Sequence, residues 1–352
     1  MTDLRANKAA KELAIEVPAT LERALDPQWL SQALGVKVAS AQQVELIKTV
    51  ATKVRFTATF ADSGETQAFC LKGLLDVDEM TARGGSTCVL EGDFYSKVAP
   101  TVNVRVPECV VAVVDREGQQ GVIIMRDLIA AGAKFCSALD PFTADDAAQS
   151  LEQLAQLHQG SDFLKGAPWI RPRAVELAQM TYITPEMLQE MMDGPRGHGL
   201  PALVRDASRL IAGMRALADR DTARPQFLVH GDSHAGNIFR TSQGAGLIDW
   251  QLLQTGGWAL DVAYHLCAVL PTELAEREER HLLGAYLDMM RASGRTMPDD
   301  EEAWRQYREC VIYGYYLWAI TRRVDPPIIV QFNQRLGAAV ARHGSYGLLG
   351  VA

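Results

Sequence analysis

The chain has 352 residues, a hydrophobic fraction of 48%, 22% charged residues and a formal net charge of −8. This length predicts two domains of a water-soluble globular protein. Acidic residues exceed basic ones in both parts, 17 to 14 over residues 1–127 and 26 to 21 over residues 128–352, so there is no basic face or tail, which argues against DNA or RNA as the main partner. The longest apolar run, Cys109–Val114, is far too short for a bilayer. The first residues, MTDLRANKAAKELAIEV, have no apolar stretch of signal-peptide length. The expectation is a cytoplasmic protein with no membrane contact. The six cysteines are scattered with no C-x-x-C pair, so reduced and mostly buried thiols are expected.

In chain order, residues 1–25 read as a polar lead-in, helical or partly ordered. Asp26 and Pro27 open a short helix as N-cap and first helical residue, and Gly35 closes it. VELIKTV, KVRFTATF and QAFCLKGLL then predict three antiparallel strands, with Asp62-Ser63-Gly64 as a turn. A helical stretch over residues 76–98 ends at Lys97, and VPECVVAVVD and GVIIMRDL add two more strands. The expected first domain, residues 1–127, is thus a five-stranded antiparallel sheet with one inserted helix. From residue 128 helical spacing dominates. Thr143 is the predicted N-cap of a helix with Asp145 and Asp146 in its first turn and Ala147, Leu151, Leu154 and His158 on one face. Helices are predicted at about 172–193, at 201–219 and from about 258 to the end.

The richest segment is QFLVHGDSHAGNIFRTSQGAGLIDWQ, residues 226–251. An apolar strand, Phe227–Val229, feeds a polar loop holding Asp232. Strands at Asn237–Arg240 and Leu247–Ile248 flank a turn with Ser and Gly and predict a hairpin that ends on Asp249. Such a hairpin would bring Asn237 and Asp249 close together, an amide oxygen and a carboxylate suited to Mg²⁺. Asp232 is left to orient a hydroxyl, and the three together are the least equipment that phosphoryl transfer from a nucleotide needs.

H-G-D-x-x-x-x-N, then I-D-W, then Gly257 to Asp261 resembles the aminoglycoside phosphotransferase and choline kinase group. LDPQWLSQALG, EGDFY and LIDWQ are most similar to its ecdysteroid kinase-like branch. The resemblance implies an α+β, two-lobed, protein-kinase-like fold, with a small antiparallel-sheet N-lobe and a larger, mostly helical C-lobe over residues 128–352. It implies an ATP- and Mg²⁺-dependent kinase acting on a small-molecule hydroxyl acceptor. Lys72, in the strand AFCLKGLL, would grip the α and β phosphates, with Glu91 as its carboxylate partner and Glu79 or Asp93 as weaker candidates. The turn that usually carries glycines over the phosphates reads TVATKVRFTA and has none. Lys53 and the backbone of Thr52–Val54 are the candidates there. The stretch Met125-Arg126-Asp127-Leu128, where the lobes should join, would offer its backbone to adenine. Asp232 would accept the acceptor's proton, Asn237 and Asp249 would hold the metal, and Asp261 would cap a helix or tie down the backbone of the catalytic loop.

Other readings use the same letters. His230, Asp232 and His234, with Asp249, are metal-ligand types and would suit a metal-dependent hydrolase. A catalytically inactive kinase fold would bind nucleotide only, although such members usually lack one of Lys72, Asp232, Asn237 and Asp249. The aromatic segment YGYYLWAITRR, residues 313–323, fits either an acceptor pocket or core packing. Acidic residues are not concentrated near Tyr313, which points away from a strongly cationic acceptor.

Overall fold

The computed structural model describes residues 7–49 and 51–352. The chain divides into two compact units. Unit 1 is residues 1–134 together with Ile248–Leu252, and unit 2 is residues 135–247 and 253–352. The division thus falls a few residues beyond the expected Asp127–Leu128 joint, and a short segment around Asp249 is grouped with unit 1.

Unit 1 is built on a sheet of six strands in the order β1-β5-β6-β4-β3-β2. These are β1 (Lys11–Leu13), β2 (Val38–Lys48), β3 (Thr52–Phe60), β4 (Thr66–Gly73), β5 (Cys109–Asp115) and β6 (Gln120–Arg126). The expected count of five is corrected by β1, which lies in the lead-in read as helical and pairs parallel to β5. Two of its three residues, Lys11 and Glu12, are charged, which hid so short a strand. Its helices are α1 (Leu21–Ala24), α2 (Pro27–Leu34), α3 (Glu79–Ala82) and α4 (Ser86–Asp93). The single inserted helix is therefore two, broken at Gly84-Gly85, and α4 runs on into a π-helical turn over Phe94–Val98. α2 keeps its predicted ends: Asp26 accepts from Gln28 N, and Gly35 takes a left-handed φ of 70°. Trp29 and Leu30 of α2 pack with Val54, Phe56, Phe69, Leu71, Val111 and Ile124 of the sheet. Phe56 and Phe69 are register partners on β3 and β4, and their rings stack at 5.6 Å.

The two-residue β7 (Lys134–Phe135) follows at the division, and unit 2 is mostly helical. It holds α5 (Ala144–Gln159), α6 (Arg173–Ala178), α7 (Pro185–Asp193), α8 (Ala202–Arg205), α9 (Ala207–Thr222), α10 (Ala259–Val269), α11 (Thr272–Ala292), α12 (Asp300–Ile320), α13 (Pro326–His343) and α14 (Ser345–Leu349). The helices predicted at about 172–193 and 201–219 are each split in two. Pro185 starts α7 afresh, and Asp206 caps α9 by accepting from Arg209 N. α5 has the predicted Thr143 cap, completed as a capping box by Asp146. The strands are β8 (Phe227–Val229), β9 (Ile238–Thr241), β10 (Gly244–Leu247) and β11 (Gln254–Gly256). β9 and β10 form the predicted hairpin, with Ile238 opposite Leu247, and β8 pairs with β11.

α10, α11, α12 and α13 meet at a buried polar cluster. Glu279 Oε2 lies 2.6 Å from Arg342, 3.2 Å from His343 Nε2 and 3.3 Å from the Tyr307 hydroxyl. Cys267, Glu279 and His343 have ligand-type atoms within 4.8 Å of one another. The Arg342 guanidinium already offsets the Glu279 charge, so the cluster is a hydrogen-bonded tie between helices. Among the described residues, no helix is long and apolar enough to cross a membrane.

Candidate active site

In unit 1 the site is assembled on β4 and α4. Lys72 sits on β4 with β3 on one side and β6 on the other, opposite Lys53 and Ile123. Its side chain is only 3% exposed. Nζ lies 2.8 Å from Glu91 Oε2 and 2.8 Å from Asp249 Oδ1. Lys53 approaches the other Asp249 oxygen at 3.6 Å. Two ammonium groups thus face two carboxylates, a balance that makes burial of the charges tolerable. Burial opposes the Lys72 charge, yet Asp249 and Glu91 together hold its pKa above the ordinary lysine range. For Glu91 burial wins over the nearby ammonium, and its pKa is raised.

Asp249 takes a left-handed backbone, φ 67°, which is costly for a residue with a Cβ. The next residue pays back that strain. Trp250 N donates to Glu91 Oε1 at 3.2 Å, and its fully buried ring stacks on Phe94 with centroids 3.6 Å apart. The strand runs over Gly244–Leu247, where the sequence predicts Leu247–Ile248.

Asp127 and Met125 stand apart from the Lys72 group. The Asp127 carboxylate accepts from Arg55 Nε at 2.9 Å and from the N–H groups of Ile129 and Ala130. It is spent on bracing β3 and on the turn after β6. The N–H of Arg126 donates to Glu108 O and that of Asp127 to Ala68 O, so both are used within the unit. Met125 is half-buried on β6, opposite Cys70 and Cys109. In the glycine-free turn, Val50 lies outside the described residues; Thr52 Oγ1 donates to Leu75 O, and Val54 is buried.

Unit 2 carries the loop after β8. Its backbone is tied to Asp261 of α10, which is fully buried. Asp261 accepts from His230 N at 2.7 Å and Gly231 N at 2.9 Å, and Ser233 Oγ donates to its carbonyl. His158 Nε2 stands 3.1 Å from the same carboxylate. Burial works against the Asp261 charge, but His158 and these backbone donors hold its pKa below the usual range. The loop-tying role expected for Asp261 is what its contacts perform.

Asp232 and Asn237 come together in this loop. Asn237 Nδ2 donates to Asp232 Oδ2 at 3.0 Å and to Asp232 O at 2.8 Å. Its amide nitrogen makes both bonds, and the amide oxygen takes part in neither. The Tyr264 hydroxyl reaches Asp232 Oδ1 at 3.0 Å, and His234 Nε2 lies 3.5 Å from Oδ2. His230 and His234 do not converge as a ligand set. Nδ1 of His230 accepts from Asp232 N, and Nδ1 of His234 accepts from Gly236 N. Each imidazole spends a ring nitrogen on its own loop, and among the described residues His230, Asp232 and His234 do not group at metal-ligand spacing.

Tyr264 and Trp250 were not singled out by sequence as site residues, whereas Trp318 lies in the aromatic segment 313–323 that was read as either acceptor pocket or core packing. Tyr264 lies one helical turn after Asp261, a spacing that puts both on one face of α10.

A profile of the ecdysteroid kinase-like family matches residues 48–297. Thiamine kinase of Salmonella typhimurium is 38% identical over 80 residues, which cover 23% of this chain and 25% of that protein. The chain thus spans about a quarter of the length of the curated relatives it matches. Among solved structures, choline kinase of Cryptosporidium parvum superposes with a TM-score of 0.51 at 11% identity, covering 93% of each chain. LicA, a choline kinase of Streptococcus pneumoniae, in complex with AMP gives a TM-score of 0.51 at 14% identity, over 92% of this chain and all of that one. These likenesses show a shared fold, the protein-kinase-like one, with its antiparallel-dominated sheet and helical part. The family match spans well over half of the sequence, and the chain belongs to the ecdysteroid kinase-like family.

Proposed function

We propose that the protein is a small-molecule kinase that transfers the γ-phosphoryl group of ATP to a hydroxyl of its acceptor, with Mg²⁺. The observation that carries this reading is the buried Lys72, held at 2.8 Å by both Glu91 and Asp249. A lysine kept charged in so dry a place, beside a carboxylate in a strained backbone, is equipment for polyphosphate. Family membership and the AMP-bound neighbour with the same fold support nucleotide use.

The residues present fit both groups. Asp249 and the Asn237 amide oxygen are hard oxygen donors suited to Mg²⁺. Lys72 and Lys53 supply positive charge for phosphate oxygens, and Met125 on β6 is the candidate to face adenine. Asp127 is assigned only to bracing β3 and the turn after β6. When bound, ATP supplies the phosphoryl group, and Mg²⁺ neutralises charge on its oxygens. Asp232, oriented by its own loop, accepts a hydrogen bond from the acceptor hydroxyl and takes its proton late in transfer. The acceptor is a small hydroxyl compound, as it is for kinases acting on choline or thiamine.

The test is a library of hydroxyl compounds screened for ADP release, with Asp232→Asn as the blank. The expected result is compound-dependent ADP release from the native protein and none from the variant. Release equal in both proteins contradicts the role of Asp232. Nucleotide binding without release from any compound favours a nucleotide-binding protein without catalysis.

A further inference from the structure

Tyr264 is fully buried on α10, and two hydrogen bonds fix the direction of its single proton. Trp318 Nε1 lies 2.6 Å from the Tyr264 hydroxyl. An indole N–H can only donate, so the tyrosine oxygen is the acceptor in that bond. Its own proton then goes to Asp232 Oδ1 at 3.0 Å. The chain of donors runs one way, from Trp318 through Tyr264 to Asp232. A phenol that accepts a hydrogen bond is the better donor for it.

We propose that Tyr264 is a positioning residue for Asp232, primed by Trp318, that fixes the rotation of the carboxylate. The assignment rests on Asp232 being the group that takes the acceptor's proton. Packing shows how firmly the ring is held. A Cβ on Gly314 of α12 would stand 2.4 Å from Tyr264 Cδ2, so only glycine lets the helix lie against the ring. Tyr313, the residue before it, meets Tyr264 edge-on with centroids 6.1 Å apart, and its hydroxyl donates to Gly231 O at 2.7 Å. One turn of α12 therefore holds both the ring and the loop. Trp318 is itself packed on Phe332 at 4.2 Å. Phenylalanine at 264 would fill the same volume; the hydroxyl is what serves Asp232.

Asp232 is also held by Asn237, whose Nδ2 donates to Oδ2 at 3.0 Å, and His234 Nε2 lies 3.5 Å from the same oxygen. Tyr264 holds the other oxygen, Oδ1. On a compound that the native protein turns over, Tyr264→Phe is expected to lower kcat about tenfold with KM and ATP binding unchanged, and Trp318→Phe to lower it by less. If Tyr264→Phe does not fold, Gly314→Ala displaces the ring while keeping the hydroxyl and should lower kcat the same way. An unchanged kcat in the folded variants, or a fall in kcat matched by an equal loss of ATP binding, overturns the proposal. Failure of the kinase reading shows instead as absent ADP release from the native protein, so the two failures are distinct.

Discussion

Lys72 and Asp232 should fail differently when truncated. Lys72→Ala removes the ammonium proposed to meet phosphate and should weaken ATP binding as well as turnover. Asp232→Ala should leave ATP binding nearly intact while turnover drops ~10² or more, measured as kcat beside a nucleotide titration. Lys72 also bears on stability. Lys72→Met leaves Glu91, only 3% exposed, without its nearest cation, a change that costs about 3–5 kcal/mol when the carboxylate is ionised. Burial already raises the Glu91 pKa. A carboxyl with a raised folded pKa binds more protons folded than unfolded, so stability falls as pH rises through that window. Denaturant midpoints of Lys72→Met should therefore be lowest relative to native protein at pH 8 and recover toward pH 5. Lys72 and Asp249 were readable as letters because a charged residue in an apolar strand or a turn stands out, and Glu91 only through the family resemblance. Trp250 and Tyr264 were not, since a buried aromatic in sequence looks like any other core residue.

α10 shows what one element contributes. It brings Asp261 to the loop backbone, Tyr264 to Asp232 and His265 to Ser150 and Ser233. His265 Nδ1 donates to Ser233 O at 2.8 Å and Nε2 faces Ser150 Oγ at 2.8 Å, an arrangement of the neutral ring. Burial pushes its pKa down to about 4 from an ordinary 6.5. The unfolded chain then binds more protons between these values, so stability is full above pH 6.5 and is lost as pH falls toward 4. The loss amounts to roughly 3 kcal/mol. Urea midpoints between pH 7 and 4 should fall less steeply in His265→Gln, and equal slopes would refute the attribution. At this scale, helix starts such as Asp26-Pro27 and Thr143 were legible because caps are local chemistry. β1 was not, because a three-residue edge strand exists only through its partner β5. Likewise the splits at Pro185 and Asp206 are set by a proline restart and an N-cap, which periodicity alone does not show.

For the molecule as a whole, the chain feeds Ile248–Leu252 back into unit 1, far in sequence from the rest of that unit. Sequence placed Asp249 with the helical part, because chain order carries no information about such a return. The segment is anchored by the fully buried Trp250 on Phe94. Trp250→Ala should cost about 3–5 kcal/mol in denaturant unfolding and release Asp249 from its left-handed conformation, weakening nucleotide binding. The central claim is that this protein engages ATP with Mg²⁺ through Lys72 and Asp249. Thermal unfolding with and without ATP and Mg²⁺ tests it most directly, by mass-action linkage. The prediction is a rise in Tm that EDTA largely removes, that Lys72→Ala diminishes and that Asp232→Asn retains. No rise in native protein at millimolar ATP and Mg²⁺, with stoichiometric zinc found in the purified chain, would contradict it.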